Sequence, residues 1–588
     1  MSKINILAKE VTDKIAAGEV VERPASVIKE LAENSLDAGS THIEVFVEDA
    51  GRALITVIDD GEGMISDDLQ KACLRHATSK ISRSQDLFSI RTLGFRGEAL
   101  ASIAAVSFLF ISSRHEAESS GNRLEIEGGV FKRMKETART QGTTIEVRNL
   151  FFNTPARLKF LKSKATEMFH IIKIITELAL VNPQAAFKLV HNKEELIDVH
   201  AGEAVLGRIA LLLGQEAAAP LVPVSFESAP LKISGFVSKA GSGYSHRKNQ
   251  HFFVNKRPVS DKTLSHALGQ GYHAFLNEHH FPGAVIFIDI LPDLVDVNVH
   301  PNKREVRFRE ASLLHDTLVN VIRSVLTDKE HLPQGIGRGK EKPCLPQMPA
   351  SLGRQYSYQP HNSEPYSSEP AMRDLFPAAA GIEDNLFSLQ HPPEAAAADT
   401  GRYLQAGNTY IVLPDAQGVL IIDQHAAHER VLFDELREQF QQKRIEKQRL
   451  LLPLTLQLNK AHYALVREYK PFFNELGFEM DEFGADTFAV HSYPAVLAKA
   501  DIKAELEGVI AEIADSEISP DKEARLTQFL ATIACHCAVR AHERLNSRQI
   551  ESLLCRLRRT SAAMTCPHGR PTMIILGWDE LGKRFKRK

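Results

Sequence analysis

Residues 30–39 read Glu30-Leu31-Ala32-Glu33-Asn34-Ser35-Leu36-Asp37-Ala38-Gly39, and their reading decides the fold of the N-terminal half. Glu30 and Asn34 lie one helical turn apart, so a helix turns both to the same side. Val27, Ile28 and Leu31 give that helix an apolar face to bury. A carboxylate and a carboxamide then project together from a rigid element. One can activate a water while the other holds a hard cation through its side-chain oxygen. Taken alone, Glu-x-x-x-Asn also fits an ordinary amphipathic surface helix, the commoner reading of so short a motif. The segments that follow weigh against that reading.

The apolar strand Leu54–Ile58 ends in Asp59-Asp60-Gly61-Glu62-Gly63. An acid at a strand end can accept a hydrogen bond from the exocyclic amine of a base. Gly61 and Gly63 would let the backbone approach a flat ring. Thr78, Ser79 and Lys80, then Gly94, Phe95, Arg96 and Gly97, supply hydroxyls, cations and glycines suited to a loop that wraps phosphates. Gly142-Thr143-Thr144 starts a further strand. The only string near a P-loop, Gly335–Lys340, is followed by Glu341 and lies in a proline-rich stretch, so a P-loop enzyme is excluded.

At 588 residues the chain exceeds one core. A formal net charge of -3 leaves any nucleic-acid contact to local basic patches. The N-terminus lacks the apolar core of a signal peptide, and no apolar run is long enough for a membrane span, so a cytoplasmic protein with no membrane contact is expected. Six cysteines make no disulfide framework. Ten prolines fall within residues 331–400, where apolar periodicity disappears, as in a flexible linker. The expected organisation is α/β (α+β) and multidomain: a first α/β unit, with the Glu30 helix, over 1–205, a second α/β unit over 206–330, the linker over 331–400, and an α+β unit over 401–588. Strands are predicted at His42–Val47, Leu54–Ile58, Thr143–Val147, Ile233–Ser238, His251–Val254 and Ala284–Ile290, with a helix at Ala311–Thr327. In the last unit, strands at Thr409–Leu413 and Gly418–Asp423 precede helices over much of 426–475 and 500–560.

The succession of Glu-x-x-x-Asn helix, Asp-x-Gly-x-Gly turn, Gly-Phe-Arg-Gly-Glu loop and Gly-Thr-Thr strand closely resembles the GHKL ATPases. Ile15–Pro24, Leu93–Leu100 and Asn149–Arg157 resemble the MutL mismatch-repair branch of that superfamily. The resemblance implies a GHKL α/β sandwich followed by a ribosomal-S5-like second domain. It implies ATP with Mg²⁺ as cofactors, Glu30 as general base, Asn34 as Mg²⁺ ligand, and Asp59 on the adenine amine with Gly61 and Gly63 beneath the ring. Thr78, Ser79, Lys80 and Gly94 to Gly97 would form the lid, with Thr143 beside the nucleotide. Lys303, in Asp296–Lys303, would reach the γ-phosphate from the second domain.

A second set of groups lies far downstream. Asp423-Gln424-His425-Ala426-Ala427-His428-Glu429 ends an apolar strand and starts a helix on which His425 and Glu429 share a face. With Cys535, Cys566 and His568 they make a plausible zinc set, with room for a second, harder ion near the carboxylates. These strings resemble the nuclease-type MutL C-terminal domain, as does the terminal Phe585-Lys586-Arg587. The resemblance implies a dimerisation and endonuclease domain with Zn²⁺ and/or Mn²⁺. In that site Asp423 would be catalytic and His425, Glu429, Cys535, Cys566 and His568 would be ligands. One departure stands out, since the family pattern places a second Glu where this chain has Asp434. His428, His536, Cys537 and His542 are neighbouring candidates for substitute ligands.

Gln448-Arg449-Leu450-Leu451-Leu452-Pro453 resembles the short peptide that docks on the replication sliding clamp, with Gln448, Leu450, Leu451 and Pro453 as contacts. A helix-to-strand junction with buried leucines is the alternative. Lys248, Lys256, Arg257, Arg304 and Arg307, and the basic C-terminus, are candidate DNA contacts. Partners implied by the resemblance are DNA, a second copy of the chain, a MutS-type mismatch-recognition protein, the sliding clamp and a repair helicase. Two rivals remain: a nuclease-free, ATP-driven matchmaker with structural cysteines, and a GHKL chaperone.

Overall fold

Helix α1 (Pro24–Asp37) begins at a proline, whose missing N–H is no loss in a first turn. It buries Val27, Ile28, Leu31 and Ala32 and keeps Glu30 and Asn34 half-buried along its flank. The chain leaves it through Gly39, in the left-handed region at φ +75, and enters β1. The computed structural model describes residues 17–18, 20–80, 92–94, 97–244, 247–276, 280–296, 306–327, 403–484, 486–497, 501–515, 521–539 and 543–587.

Eight strands follow: β1 (His42–Glu48), β2 (Leu54–Asp59), β3 (Phe108–Arg114), β4 (Gly121–Glu127), β5 (Val130–Thr137), β6 (Gly142–Arg148), β7 (Ala186–His191) and β8 (Glu194–Val199). They form one sheet in the order β5-β4-β3-β6-β2-β1-β7-β8, antiparallel except for the β1–β7 pair. Ile43, Val45 and Val47 of β1 alternate inward with Ile55 and Val57 of β2, and both strands lie where the sequence predicts them. Helices α2 (Ala99–Ala105) and α3 (Lys164–Val181) complete this unit. Helix α3 is capped by Ser163 and packs along α1, so it forms the backing of the helix that carries Glu30.

The second unit has a five-stranded sheet, ordered β12-β11-β13-β10-β9, and its own apolar core. Its strands are β9 (Leu221–Ser228), β10 (Leu231–Ser238), β11 (Gln250–Val254), β12 (Arg257–Val259) and β13 (Ala284–Ile290). Helices α4 (Lys262–Tyr272) and α5 (Ala311–Thr327) pack on each other beside it.

The C-terminal unit has two lobes. The inner lobe holds β14 (Leu404–Ala406), β15 (Tyr410–Asp415), β16 (Gly418–Asp423) and β20 (Met573–Gly577), paired in that order. Helix α6 (Gln424–Gln441) springs directly from β16. The outer lobe holds β17 (Lys447–Gln457), α7 (Lys460–Glu475), β18 (Met480–Glu482), β19 (Thr487–Pro494), α8 (Ile502–Asp515) and α9 (Lys522–Cys537). Its three-stranded sheet, ordered β17-β19-β18, is foreseen in the sequence only where Gln448–Pro453 allows a helix-to-strand junction, and β18 and β19 have no counterpart there. Helix α10 (Ser547–Arg559) returns to the inner lobe against α6. Among the described residues, no helix is long and apolar enough to cross a membrane.

Candidate functional site

Asp59 closes β2 and is only 8% exposed. Its Oδ2 accepts from the Ser35 hydroxyl at 2.8 Å, and its Oδ1 accepts from the backbone N–H groups of Gly61 and Thr143 at 3.0 and 3.1 Å. Donors from α1, the turn and β6 therefore fix the carboxylate in one orientation. The Thr143 hydroxyl pairs with Ser113 Oγ at 3.0 Å. Gly63 sits at φ +72, and a Cβ there would come 2.1 Å from the Arg114 carbonyl oxygen. It is a glycine because β3 passes against it, a reason separate from the flat ring inferred from sequence. Gly61 likewise faces Ser40 Oγ and the Ala38 carbonyl.

Beside Asp59, Lys80 Nζ donates to Asn34 Oδ1 at 2.9 Å and to Asp37 Oδ2 at 2.5 Å. The Asn34 oxygen thus already faces a cation, the lysine ammonium, which is the chemistry a Mg²⁺ ligand needs. Asp37 also accepts from the Leu93 and Gly94 N–H groups at 2.9 and 3.1 Å, tying the lid segment to the end of α1. Thr78 Oγ1 accepts from the Lys80 N–H at 3.2 Å, and Ser79 is exposed. Gly97, at φ +63, passes Ala77 so closely that a Cβ would lie 2.4 Å from its carbonyl oxygen. Glu30 stands half-buried one turn before Asn34. Phe95, Arg96 and Lys303 lie outside the described residues.

Three participants were missed in the sequence: Ser35, Asp37 and Arg257. The first two stood inside the deciding stretch without a partner to give them a role. Arg257, expected to contact DNA, donates to the Thr92 and Leu93 carbonyls at 3.1 and 3.2 Å, joining the second unit to the segment that the sequence assigns to a lid. Lys256 and Arg307 remain candidates for a basic face, while Arg304 and the Lys248 side chain lie outside the described residues.

The C-terminal groups converge on Glu429, which is buried in α6. His425, Glu429 and Cys535 form one triad whose ligand atoms lie within 4.8 Å of one another; Glu429, Cys566 and His568 form another. His425 Nε2 is 3.1 Å from Glu429 Oε1, and His568 Nδ1 is 3.7 Å from Oε2. Oε2 is buried without a hydrogen-bond partner, an orphan aimed into a set of sulfur and imidazole donors. Such a set fits a zinc-class ion. Burial would raise the Glu429 carboxyl, but His425, His568 and Cys535 turned toward it outweigh burial and hold it below the usual carboxylate range. Burial, then Glu429, pushes the Cys535 thiol up. Burial does the same to Cys566.

The Val539 peptide is gripped by two histidines. Its carbonyl lies 2.9 Å from His425 Nδ1, and its N–H donates to His428 Nδ1 at 2.9 Å. Asp423 does not join either triad. It is the N-cap of α6, its Oδ1 accepting from the His425 and Ala426 N–H groups at 2.9 and 3.0 Å. Asp434 is held by Arg430 at 3.1 Å and by the Ser561 N–H at 3.2 Å. His536 turns away to Glu505 and Glu512, at 2.9 and 3.1 Å. His542 lies outside the described residues.

Gln448 to Pro453 lie on β17 at an irregularity in register between Arg449 and Leu454. Leu451 is 97% exposed and Leu452 78%, Leu450 is half-buried and Pro453 exposed. The alternative of buried leucines is therefore wrong for Leu451 and Leu452. On the inner lobe, Leu404, Tyr410 and Ile574 are exposed on the face of the sheet turned away from its core, an apolar area that asks for a cover.

Three family models match the chain. Residues 22–153 match the histidine kinase-, DNA gyrase B- and HSP90-like ATPase, 209–327 the C-terminal domain of DNA mismatch repair protein, and 403–545 the MutL C-terminal dimerisation domain. The DNA mismatch repair protein MutL of Geotalea uraniireducens (strain Rf4) is 39% identical over 100% of both chains. That of Geobacter sulfurreducens is 38% identical over 100% of this chain and 99% of the relative. A solved structure, the Aquifex aeolicus MutL ATPase domain complexed with ADP, shares 27% identity over 51% of this chain and 98% of its own, at a TM-score of 0.37. With full-length relatives at this identity, the chain belongs to the MutL family of DNA mismatch repair proteins, with a GHKL-type ATPase domain and a MutL C-terminal dimerisation domain.

Proposed function

We propose that this chain is a nuclease-type MutL: a homodimer that binds and hydrolyses ATP at α1 and nicks DNA at the Glu429 centre. The observation that carries the nuclease reading is the pair of ligand triads sharing one buried carboxylate whose second oxygen has no hydrogen-bond partner.

At the ATP site Asp59, already held by three donors, accepts from the adenine amine. Glu30 takes the proton of the attacking water. Asn34 offers its carboxamide oxygen to Mg²⁺. Thr78, Ser79, Lys80 and Gly94 to Gly97 close over the phosphates, and Lys303 reaches them from the second unit. A contact that exists in only one inter-domain arrangement gives ATP the differential affinity a switch needs.

At the far site His425, Glu429, Cys535, Cys566 and His568 would hold one or two zinc- or manganese-class ions. Such ions supply Lewis acidity and an activated water for phosphodiester cleavage. The Val539 carbonyl fixes His425 so that Nε2 faces the centre. Asp423 keeps one oxygen on the helix cap and offers the other to the reacting water. The exposed face of the inner sheet meets its copy in a second chain. Gln448, Leu450, Leu451 and Pro453 dock on the sliding clamp, and a MutS-type protein and a repair helicase act upstream and downstream.

Metal analysis of the purified full chain tests the centre. About one or two tightly bound zinc-class ions per chain are expected, with most of that content lost in Cys566→Ser. A metal-free wild type that remains empty after incubation with Zn²⁺ would overturn the reading.

A further inference from the structure

Helix α7 of the outer lobe packs lengthwise on α3 of the ATPase unit, and the two share one continuous apolar core. Tyr469 Oη lies 2.7 Å from Ser163 Oγ, at the cap of α3. The His462 ring stacks on Phe169, centroids 5.7 Å apart and planes inclined by 14°. Two ion pairs flank the apolar strip, Arg467 with Glu194 and Lys503 with Glu216. The Glu216 N–H donates to Gln457 Oε1 at 3.2 Å. Where α7, α3 and β11 meet, the packing leaves a cavity of about 340 Å³ bordered by Lys173, His251, Phe253 and Asn459.

We propose that this face of the outer lobe is a docking surface for the ATPase unit of the same chain, and that docking is a releasable restraint on ATP turnover. Each feature supports that reading. Half-exposed ion pairs and an unfilled cavity border the apolar contact, polar and imperfectly packed edges of the kind found in reversible inter-domain interfaces. It is made in cis because residues 331–400 have the composition of a tether, which raises the effective concentration of the two faces to roughly the millimolar range. It bears on turnover because α3 is the backing of α1, and α1 carries Glu30 and Asn34. It can be signalled to from outside because β17 carries the exposed Leu451 and Leu452 near its middle and Gln457 at the seam. The proposal does not depend on the nuclease reading.

A zero-length carbodiimide, which couples amine to carboxylate only at ion-pair distance, tests it on full chain in which ¹⁵N-labelled and unlabelled subunits, mixed equally, have been exchanged into mixed dimers. The expected product is a Lys503–Glu216 cross-link with both peptides carrying the same label. Arg467→Glu should lower its yield several-fold and raise ATP turnover, and Glu194→Arg in that background should restore both. A mixed-label product, no Lys503–Glu216 product, or a charge swap that restores nothing would overturn docking in cis. Unchanged turnover in Arg467→Glu, despite a lost cross-link, would overturn the restraint.

Discussion

The Ser35 hydroxyl donates to Asp59 Oδ2 at 2.8 Å, linking the helix that carries Glu30 to the acid that closes β2. Removing it leaves Asp59 with two donors on the other oxygen and frees its carboxylate to turn. A hydrogen bond to a charged group is worth about 1.5–3 kcal/mol, so Ser35→Ala should weaken ATP binding about tenfold or more. Equilibrium binding of a fluorescent ATP analogue reads this directly.

Glu30→Ala should bind ATP within a few-fold of wild type yet hydrolyse it at least about a hundredfold more slowly, the usual scale of a lost general base. The bound, unhydrolysed state should accumulate with N-terminal units associated, visible by cross-linking. Lost nucleotide binding in this variant would contradict the role given to Glu30.

Leu451→Ala should abolish binding to the sliding clamp while shifting unfolding by less than about 0.5 kcal/mol, since this exposed side chain contributes nothing to the core, and Leu452→Ala, outside the docking contacts, should leave clamp binding within a few-fold. Clamp pull-down together with thermal denaturation separates the two effects.

Burial holds the His428 imidazole down to about 3 in the folded chain, with Arg556 and His425 adding to the effect. A histidine depressed in the fold contributes its full stability above the unfolded value near 6.5 and loses it as pH falls toward 3. The C-terminal unit should therefore unfold more readily from pH 6.5 downward. His428→Gln should flatten this slope in denaturant titrations at a series of pH values.

Glu507 sits at the docking seam with its carboxyl pushed up to about 7. Burial is the main cause; Glu216 and Asp501 add to it and Lys503 opposes it. Tyr244, facing it from the second unit, is itself raised by burial and by Glu507. A docked state with a raised carboxyl pKa takes up a proton, so docking should weaken as pH rises from about 4.5 to about 7. Glu507→Gln should remove most of that dependence from the Lys503–Glu216 cross-link yield.

The parts legible in the sequence were those fixed by local rules. Helical spacing put Glu30 and Asn34 on one flank, alternation gave β1 and β2, and a strand ending in acid gave Asp59. The candidate ligands His425 and Glu429 were one turn apart on a helix that begins where its strand stops. What stayed hidden depends on distant pairing. Ser35 meets Asp59 across the α1–β2 connection, and Arg257 reaches the lid from another domain. The β17 strand was legible only as the alternative of a helix-to-strand junction, because Leu450 to Pro453 interrupt alternation, which the register shift between Arg449 and Leu454 accommodates. Asp423 was assigned from its motif alone, and its work as a helix cap emerges only from its hydrogen bonds.

We propose that the Glu429 centre cuts DNA. The most direct measurement is conversion of supercoiled plasmid to the nicked circle by the full chain with Mn²⁺ and the sliding clamp, compared with Asp423→Asn and Glu429→Gln. The account predicts nicking by the wild type that falls at least about a hundredfold in either variant, with ATP hydrolysis retained. A wild type that leaves the plasmid supercoiled, or variants that nick as fast as the wild type, would contradict it.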